Sequence, residues 1–600
     1  MISMCKESGC RIIENNQLSI SFSETAVLKL ADIRHRHTKT SWLTQCDIFQ
    51  LKINDRAISS SDFSLTKTDT ISDTSGEYLI YELVWDGDYK LISRVSVSTD
   101  EDQGLIFLIQ IGADWKELCP QEIFIHVPLF KHFGQEGNQW YLSTNPVSKP
   151  DGYSAIQTHG SFDLPICNIA HDQKAGFSFE MRNIDQFGGG WNQLRNCDLL
   201  GMGTKEQLWN NNIWIRQQNK EPADIFEFKI YALDQGWSEA FCRWKNRIRR
   251  QMDLSMYSRP DLQWNRKNFY QQLSFAYSKE IFDYEKQTFI PDELIDTGKE
   301  FGGFDSIILW FVYPRLGVDE RSQWEFNDDI PGGIDGIRDF VHRCHNKGVK
   351  VFLPYNPWDE KVNVSPLQTA DMLCDLIQQT EIDGIWLDTM DRMPDDFRKR
   401  VDKIRPGVVF NLECYPATNH MVELITGHWD QIWGRNIMPQ SNILRFLFPE
   451  NNAPIAARWL IGEAKDILIK RAIFNGAGLA IWQDIFGAWL PFSAEQKATL
   501  KKWKTILLEH FDAFSGIGCI PMVPMLQEKL YANKFIADDG SEVIYTVYNA
   551  SEQTVDGALM EVPEIGEAKE LWMNIPIQNR DGFINGSIGS NEVMIVSIKP

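Results

Sequence analysis

The sequence predicts a multidomain β and α/β protein: an amino-terminal β-sandwich, a (β/α)8 barrel and a carboxy-terminal antiparallel β-sandwich. Three observations predict it. Up to about residue 235, β-type runs recur with almost no helical periodicity. From about residue 265, short apolar runs alternate with helical patterns. Beyond about residue 515, short β-type runs return. A chain of 600 residues also exceeds what one hydrophobic core supports, so division into domains is expected.

Residues 1–235 carry alternating or apolar runs at 18–22, 46–53, 78–85, 91–97, 105–111, 123–130, 176–181 and 225–233. Turn signals such as Asp86-Gly87 and Asp151-Gly152 separate some of them, the spacing of a large β-sandwich. The run Gly188-Gly189-Gly190-Trp191 is a loop. No helix with a phosphate-binding lysine follows it, so it does not predict nucleotide binding. Residues 236–264 read as a linker, because Trp237, Phe241, Trp244 and Ile248 recur near helical spacing.

Residues 265–514 hold eight strand candidates, at 269–277, 306–312, 349–355, 384–387, 408–412, 431–433, 443–448 and 479–482. Helical patterns lie between several of them, at 334–347, 367–379, 395–404, 418–427 and 465–474. In the first of these, Ile337, Phe340, Val341 and Cys344 share a face. Eight strand–helix repeats in ~250 residues is the usual size of a (β/α)8 barrel. Ser493, followed by Glu495-Gln496, opens a last helix that closes the barrel. Residues 515–600 return to short strands at 529–535, 542–549, 558–562, 570–573 and 593–598, with turns at Asp539-Gly540 and Asp581-Gly582.

The bulk numbers exclude several functions. A net charge of −22 opposes binding to nucleic acid or to an anionic membrane. No apolar run approaches the ~18 residues needed to span a bilayer. The first residues, MISMCKESGC, lack an apolar signal core, so the cytoplasm is the expected compartment, or the periplasm or exterior if a leader was removed. The 11 cysteines are scattered, and neither they nor the histidines form a metal-ligand motif, so no metal or cofactor is expected. No Gly-x-Ser-x-Gly elbow is present. The 21 tryptophans serve chiefly as core, yet a flat indole also suits the apolar face of a sugar ring.

In a barrel of this kind, chemistry gathers at the carboxyl ends of the strands. Those ends here carry Trp310, then Tyr355, Asn356, Trp358 and Asp359, then Trp386 and Asp388 with Asp391 just beyond. Glu413 follows strand five. Asp430 precedes strand six, which ends in Trp433 and Arg435; strand eight ends in Trp482 and Asp484. One such acid is readily a helix cap or a turn residue, and one such tryptophan is readily core. Several carboxylates at the same end of neighbouring strands repel one another unless the repulsion is used. Strands lie ~4.8 Å apart, so acids ending strands four and five can reach the ~5–5.5 Å separation of retaining glycoside hydrolysis. There one carboxylate attacks the anomeric carbon while the other, its pKa raised by burial and by its neighbour, protonates the leaving oxygen. Asp359 and Asp484 are sugar-hydroxyl acceptors or turn residues. Trp310, Trp358, Trp433 and Trp482 are stacking platforms or core. Arg435 binds an anionic sugar group or orients a carboxylate such as Glu413.

The stretch Trp324-Glu325-Phe326-Asn327-Asp328-Asp329-Ile330-Pro331-Gly332-Gly333-Ile334-Asp335-Gly336, then FVHRCHNKGVK at 340–350 and VFLPYNPW at 351–358, resembles the α-galactosidase type of retaining α-glycosidase. The resemblance implies an amino-terminal β-supersandwich, a (β/α)8 barrel and a carboxy-terminal β-sandwich, with the strand-four acid, Asp388, as nucleophile. It leaves two acid/base positions open. The α-galactosidase pattern, an Asp after strand six, points to Asp430. The related endo-α-N-acetylgalactosaminidases, with a Glu after strand five, point to Glu413. The family's Lys-x-Asp around the nucleophile is Trp386-Leu387-Asp388 here. The resulting expectation is a glycosidase that cleaves terminal α-linked sugars, with a carbohydrate substrate as partner, no nucleic acid or membrane, and the oligomeric state left open. The alternative, raised by the missing lysine, is a catalytically degenerate sugar-binding protein on the same scaffold. A barrel lyase or isomerase would need a lysine, histidine or metal beside these acids, and none is placed there.

Overall fold

A computed structural model describes residues 3–7, 9–39, 41, 45–53, 56–73, 76–88, 90–99, 104–113, 123–126, 139–142, 164–169, 176–182, 215–217, 225–311, 321–360, 364–432, 438–458 and 460–600. The chain forms two compact units, Met1–Ile248 and Arg249–Pro600.

The first unit is built from antiparallel sheets. One has eight strands, running in spatial order from Gln139–Leu142 through Ile225–Leu233 and Leu105–Ala113 to Ser64–Asp73. Two four-stranded sheets accompany it. Alternation explains its core: in Leu18–Glu24 the buried residues are Leu18, Ile20 and Phe22, with serines between them. Phe22 packs against Tyr81 and Phe107 with centroids 5.5 and 6.0 Å away, and Phe107 stacks on Phe228 at 4.7 Å. The helix Gly236–Arg250 buries Trp237, Phe241 and Trp244, as its spacing predicts. The Gly188–Trp191 run and the Asp151-Gly152 turn lie outside the described residues.

The second unit opens with the barrel. Its parallel strands are β1 (Tyr270–Phe275), β2 (Ser306–Trp310), β3 (Lys350–Tyr355), β4 (Gly384–Leu387), β5 (Val409–Leu412), β6, β7 (Ile455–Ala457) and β8 (Leu479–Ile481). Strand β6 is in two pieces: Gly427–His428 pairs with β5 and Asp430–Ile432 with β7. With β1 paired to β8, the ring closes. A helix follows each strand: α1 (Pro291–Gly298), α2 (Gly333–Asn346), α3 (Pro366–Thr380), α4 (Asp395–Ile404), α5 (Asn419–Val422), α6 (Ile443–Leu447), α7 (Ala464–Phe474) and α8 (Ala494–Glu509). Strands β2, β4 and β5 are buried at every residue, as expected of parallel strands covered on both faces. Gly384 is small for a reason: a Cβ there would stand 2.2 Å from the Phe352 ring of β3. Capping boxes at Ser365/Gln368 and Ser493/Gln496 start α3 and α8.

One barrel strand differs from expectation, and beyond the barrel the strand expected at 570–573 is Glu567–Glu570, followed by a turn. Residues 443–448 are not the seventh strand but helix α6, and Ile455–Ala457 takes that place. Asn442 decides it: its side chain accepts the backbone N–H of Leu444 and Arg445 and caps a turn that buries Phe446 and Leu447. After the barrel come a six-stranded and a three-stranded antiparallel sheet. Leu530, Val547, Leu559, Ile584, Val596 and Ile598 pack in their shared core.

Candidate active site

The ladder register sets the site. Asp388 N–H donates to the Tyr355 carbonyl at 2.9 Å, Glu413 N–H to Leu387 at 3.0 Å, and Trp429 N–H to Leu412 at 2.9 Å. Asn356, Asp388 and Glu413 are thus the first residues beyond β3, β4 and β5, level with one another. Asp388 lies two residues beyond Trp386 and therefore on the same face of its strand. That face is the barrel interior. Trp386 contacts Trp429 of β6 at 4.8 Å, and Trp429 donates its indole N–H across to Gln271 of β1 at 2.8 Å. Trp482 completes this aromatic layer, 6.4 Å from Trp429.

The two acids are neighbours, one at the end of each of two adjacent strands. Asp388 is 3% exposed and Glu413 2%. Burial, and then the Glu413 carboxyl, push the Asp388 pKa up to about 9, while the Arg458 charge and nearby Trp310 pull the other way. Asp388 Oδ2 has no hydrogen-bond partner. Glu413 is richly supplied: Gln431 Nε2 donates to Oε1 at 2.6 Å, Arg458 pairs with the same oxygen, and Thr389 N–H donates to Oε2 at 2.6 Å. Burial and the neighbouring Glu413 carboxyl thus favour the protonated form of Asp388.

Asp430 is placed differently. It sits inside β6 rather than beyond a strand end, and Gln431 next to it points inward to Glu413. Asp430 consequently faces the helical ring. Both its oxygens accept from Arg471 Nη2 on α7, at 2.9 and 3.0 Å, and Oδ1 also accepts from Tyr415. Both charged partners are buried, the arrangement of a structural ion pair.

The expected sugar contacts divide into groups. Asn356 is 1% exposed and neither amide atom has a partner, which suits a hydroxyl contact. Trp358 is 44% exposed and donates to Thr389 Oγ1 at 2.8 Å. Trp310, Trp386 and Trp482 are buried around and below the carboxyl pair rather than open as platforms. Tyr355 points outward, packed on Phe397 of α4 at 5.4 Å, and makes no wall of the barrel mouth. Asp359 is fully buried, not a surface turn, and its carbonyl accepts from Gln323 N–H. Asp391 pairs with neighbouring Arg392, both side chains largely exposed. Asp484 has both oxygens engaged, by Ser278 Oγ at 2.7 Å and Gly487 N–H at 2.9 Å, so it pins a turn. Trp433 and Arg435 lie outside the described residues. The ion pair expected of Glu413 is made by Arg458.

Arg458, Gln431 and Thr389 are the residues that sequence reasoning missed. Arg458 stands one residue beyond β7 and was hidden by the misplaced seventh strand. Its guanidinium lies 5.4 Å over the Trp482 ring. Among the described residues no group of three or more His, Cys, Asp or Glu side chains is arranged to hold a metal, and no helix is long and apolar enough to cross a membrane.

No family model and no curated protein sequence matches the chain. Solved structures do. The α-N-acetylgalactosaminidase NagBb from Bifidobacterium bifidum superposes with a TM-score of 0.53 at 10% identity, over 90% of this chain and 98% of that one. The GH36 α-galactosidase AgaB from Geobacillus stearothermophilus gives 0.49 at 10% identity, and the galactosidase domain of the α-galactosidase–sucrose kinase AgaSK gives 0.49 at 12%, each over 100% of both chains. The likeness to NagBb is one of fold, and it extends the resemblance of residues 324–358 to nearly the whole chain: this protein has the multidomain fold in which that α-N-acetylgalactosaminidase is built.

Proposed function

We propose that the protein is a glycoside hydrolase that cleaves a terminal α-linked sugar with retention of configuration, Asp388 acting as nucleophile and Glu413 as general acid and base. The observation that carries this reading is the buried Asp388–Glu413 pair, level at the ends of adjacent strands. An Asp at the end of β4 with a Glu at the end of β5 is also the pattern of the endo-α-N-acetylgalactosaminidase resemblance. The fold shared with NagBb supports the sugar class.

In the first step the Asp388 carboxylate forms a bond to the anomeric carbon as the bond to the leaving oxygen breaks, and Glu413 gives that oxygen its proton. In the second, Glu413 takes a proton from water, the water oxygen bonds to the anomeric carbon, and the Asp388 ester bond breaks. We prefer Glu413 to Asp430 as acid/base because Asp430 is tied to Arg471 on the outer side of β6.

One observation favours a second reading with the two roles exchanged. Glu413 accepts from three donors, as a resting nucleophile does, whereas burial and its neighbour raise the Asp388 pKa, as suits a resting acid. Both readings make the enzyme retaining. The test is a panel of aryl α-glycosides (N-acetylgalactosaminide, galactoside, glucoside) followed by NMR. The α anomer should be released first. Initial release of the β anomer contradicts retention; binding with no turnover by the wild type indicates the degenerate sugar-binding alternative.

A further inference from the structure

We propose that the hairpin after β8 carries the leaving-group subsite, with Phe486 as a platform for a ring that presents an apolar face. This rests on the glycosidase reading above and adds where the departing part of the substrate lies. Asp484–Ile485 pairs with Ala488–Trp489, leaving Phe486-Gly487 as a two-residue turn. Both turn residues have positive φ, 49° and 83°. Such a turn is ordinarily made with Asn-Gly, because asparagine and glycine enter the left-handed region with least steric cost. An aromatic residue there is locally disfavoured, and Phe486 as a residue is 57% exposed, so neither turn geometry nor full burial accounts for it.

The hairpin is firmly held. Asp484 takes Ser278 Oγ and Gly487 N–H on its two oxygens, Trp482 Nε1 donates to the Asp484 carbonyl at 2.8 Å, and Leu490 N–H donates to Gln483 at 2.7 Å. The Phe486 ring meets Phe275 at 5.1 Å, Trp482 at 6.0 Å and Trp310 at 6.2 Å. Trp310, at the end of β2, is close enough to Asp388 to lower its pKa. The exposed residue is therefore the outer end of an aromatic wall whose inner end lies near the reacting carboxyl. A ring leaving the anomeric carbon at Asp388 and Glu413 has this wall as its neighbouring apolar surface. The fitting chemistry is a second pyranose, through its C–H face, or an aryl aglycone, through its π face.

The test uses the full chain and its Phe486→Asn variant, which keeps a residue suited to the turn. Calorimetry measures the methyl and phenyl α-thioglycosides of N-acetylgalactosamine and galactose, together with an S-linked α-disaccharide of each sugar. The wild type should bind the ring-bearing ligands about 5- to 10-fold more tightly than the methyl ones, and Phe486→Asn should bring that ratio close to one. Collapse of the ratio for phenyl only, or for the disaccharide only, assigns the platform to that ring. Thermal denaturation should show a melting temperature no lower in the variant. Binding of methyl and ring-bearing ligands with a ratio that Phe486→Asn leaves unchanged overturns the platform alone. Absence of binding by the wild type to every ligand overturns the glycosidase reading, and the platform with it.

Discussion

Thr389 donates its backbone N–H to Glu413 Oε2 at 2.6 Å from a backbone with φ of +58°. A β-branched residue in that region costs about 1–3 kcal/mol and persists only where the surroundings enforce it. The turn immediately after Asp388 directs one more donor at the acid of the next strand, so the strain and the site are the same feature. Thr389→Gly should keep the N–H and relax the backbone. We expect stability within about 1 kcal/mol of wild type in urea unfolding, glycine's greater unfolded-state freedom offsetting the relief, and kcat/KM within about threefold. A hundredfold loss with normal stability would show that the Thr389 side chain, not its N–H, matters to Glu413.

The Asp388 proton should make stability depend on pH. Burial and Glu413 raise the folded-state pKa to about 9, against about 3.9 for an exposed Asp. The folded protein therefore holds a proton through a range in which the unfolded chain has released it. The stabilising contribution is complete below about pH 4 and is lost as pH rises toward about 9. Asp388→Asn removes this dependence. The variant should match wild type near pH 4 and exceed it by a margin that grows with pH, on the order of several kcal/mol at pH 8.5, while losing turnover, as happens when a strained functional group is removed. Parallel wild-type and variant stabilities from pH 4 to pH 8.5 would contradict the raised pKa.

Arg458 should govern the same proton from the other side. Its charge pairs with Glu413 and lowers the Asp388 pKa. In Arg458→Met the alkaline limb of kcat/KM should move to higher pH, and kcat should fall about a hundredfold as stabilisation of the ionised partner is lost. A limb that stays in place would place Arg458 outside the electrostatics of the pair.

Asp430→Asn separates structure from chemistry. It breaks a buried pair with Arg471 and should cost about 3 kcal/mol of stability. The folded fraction should still cleave glycosides of good and poor leaving groups in the wild-type ratio. A selective loss on poor leaving groups, the mark of a missing general acid, would return the acid/base role to Asp430.

The barrel was legible because buried parallel strands leave short, wholly apolar runs, of which Gly384–Leu387 is the plainest, and because helices of evident periodicity separate them. Strand β7 was not legible: Ile455-Ala456-Ala457 is brief and weakly apolar, whereas 443–448 reads as a strand until Asn442 is recognised as a cap. Losing β7 also lost Arg458. Asp388 and Glu413 could be found because each directly follows its strand. The facing of Asp430 depends on strand parity, and placing its strand at 431–433 rather than Asp430–Ile432 left that acid outside the ladder. Tryptophan content could not separate floor from platform. The residues burying Trp386 and Trp482 come from β1 and β6, far away along the chain.

The assignment of roles within the pair is tested most directly by the stereochemistry of azide rescue. Asp388→Ala is incubated with an activated aryl α-glycoside and sodium azide, and the glycosyl azide is isolated and identified by NMR. With Asp388 as nucleophile, azide enters the vacated site and gives the β-glycosyl azide in a single displacement. An α-glycosyl azide, from attack on a covalent intermediate still formed by Glu413, would contradict the account and exchange the two roles.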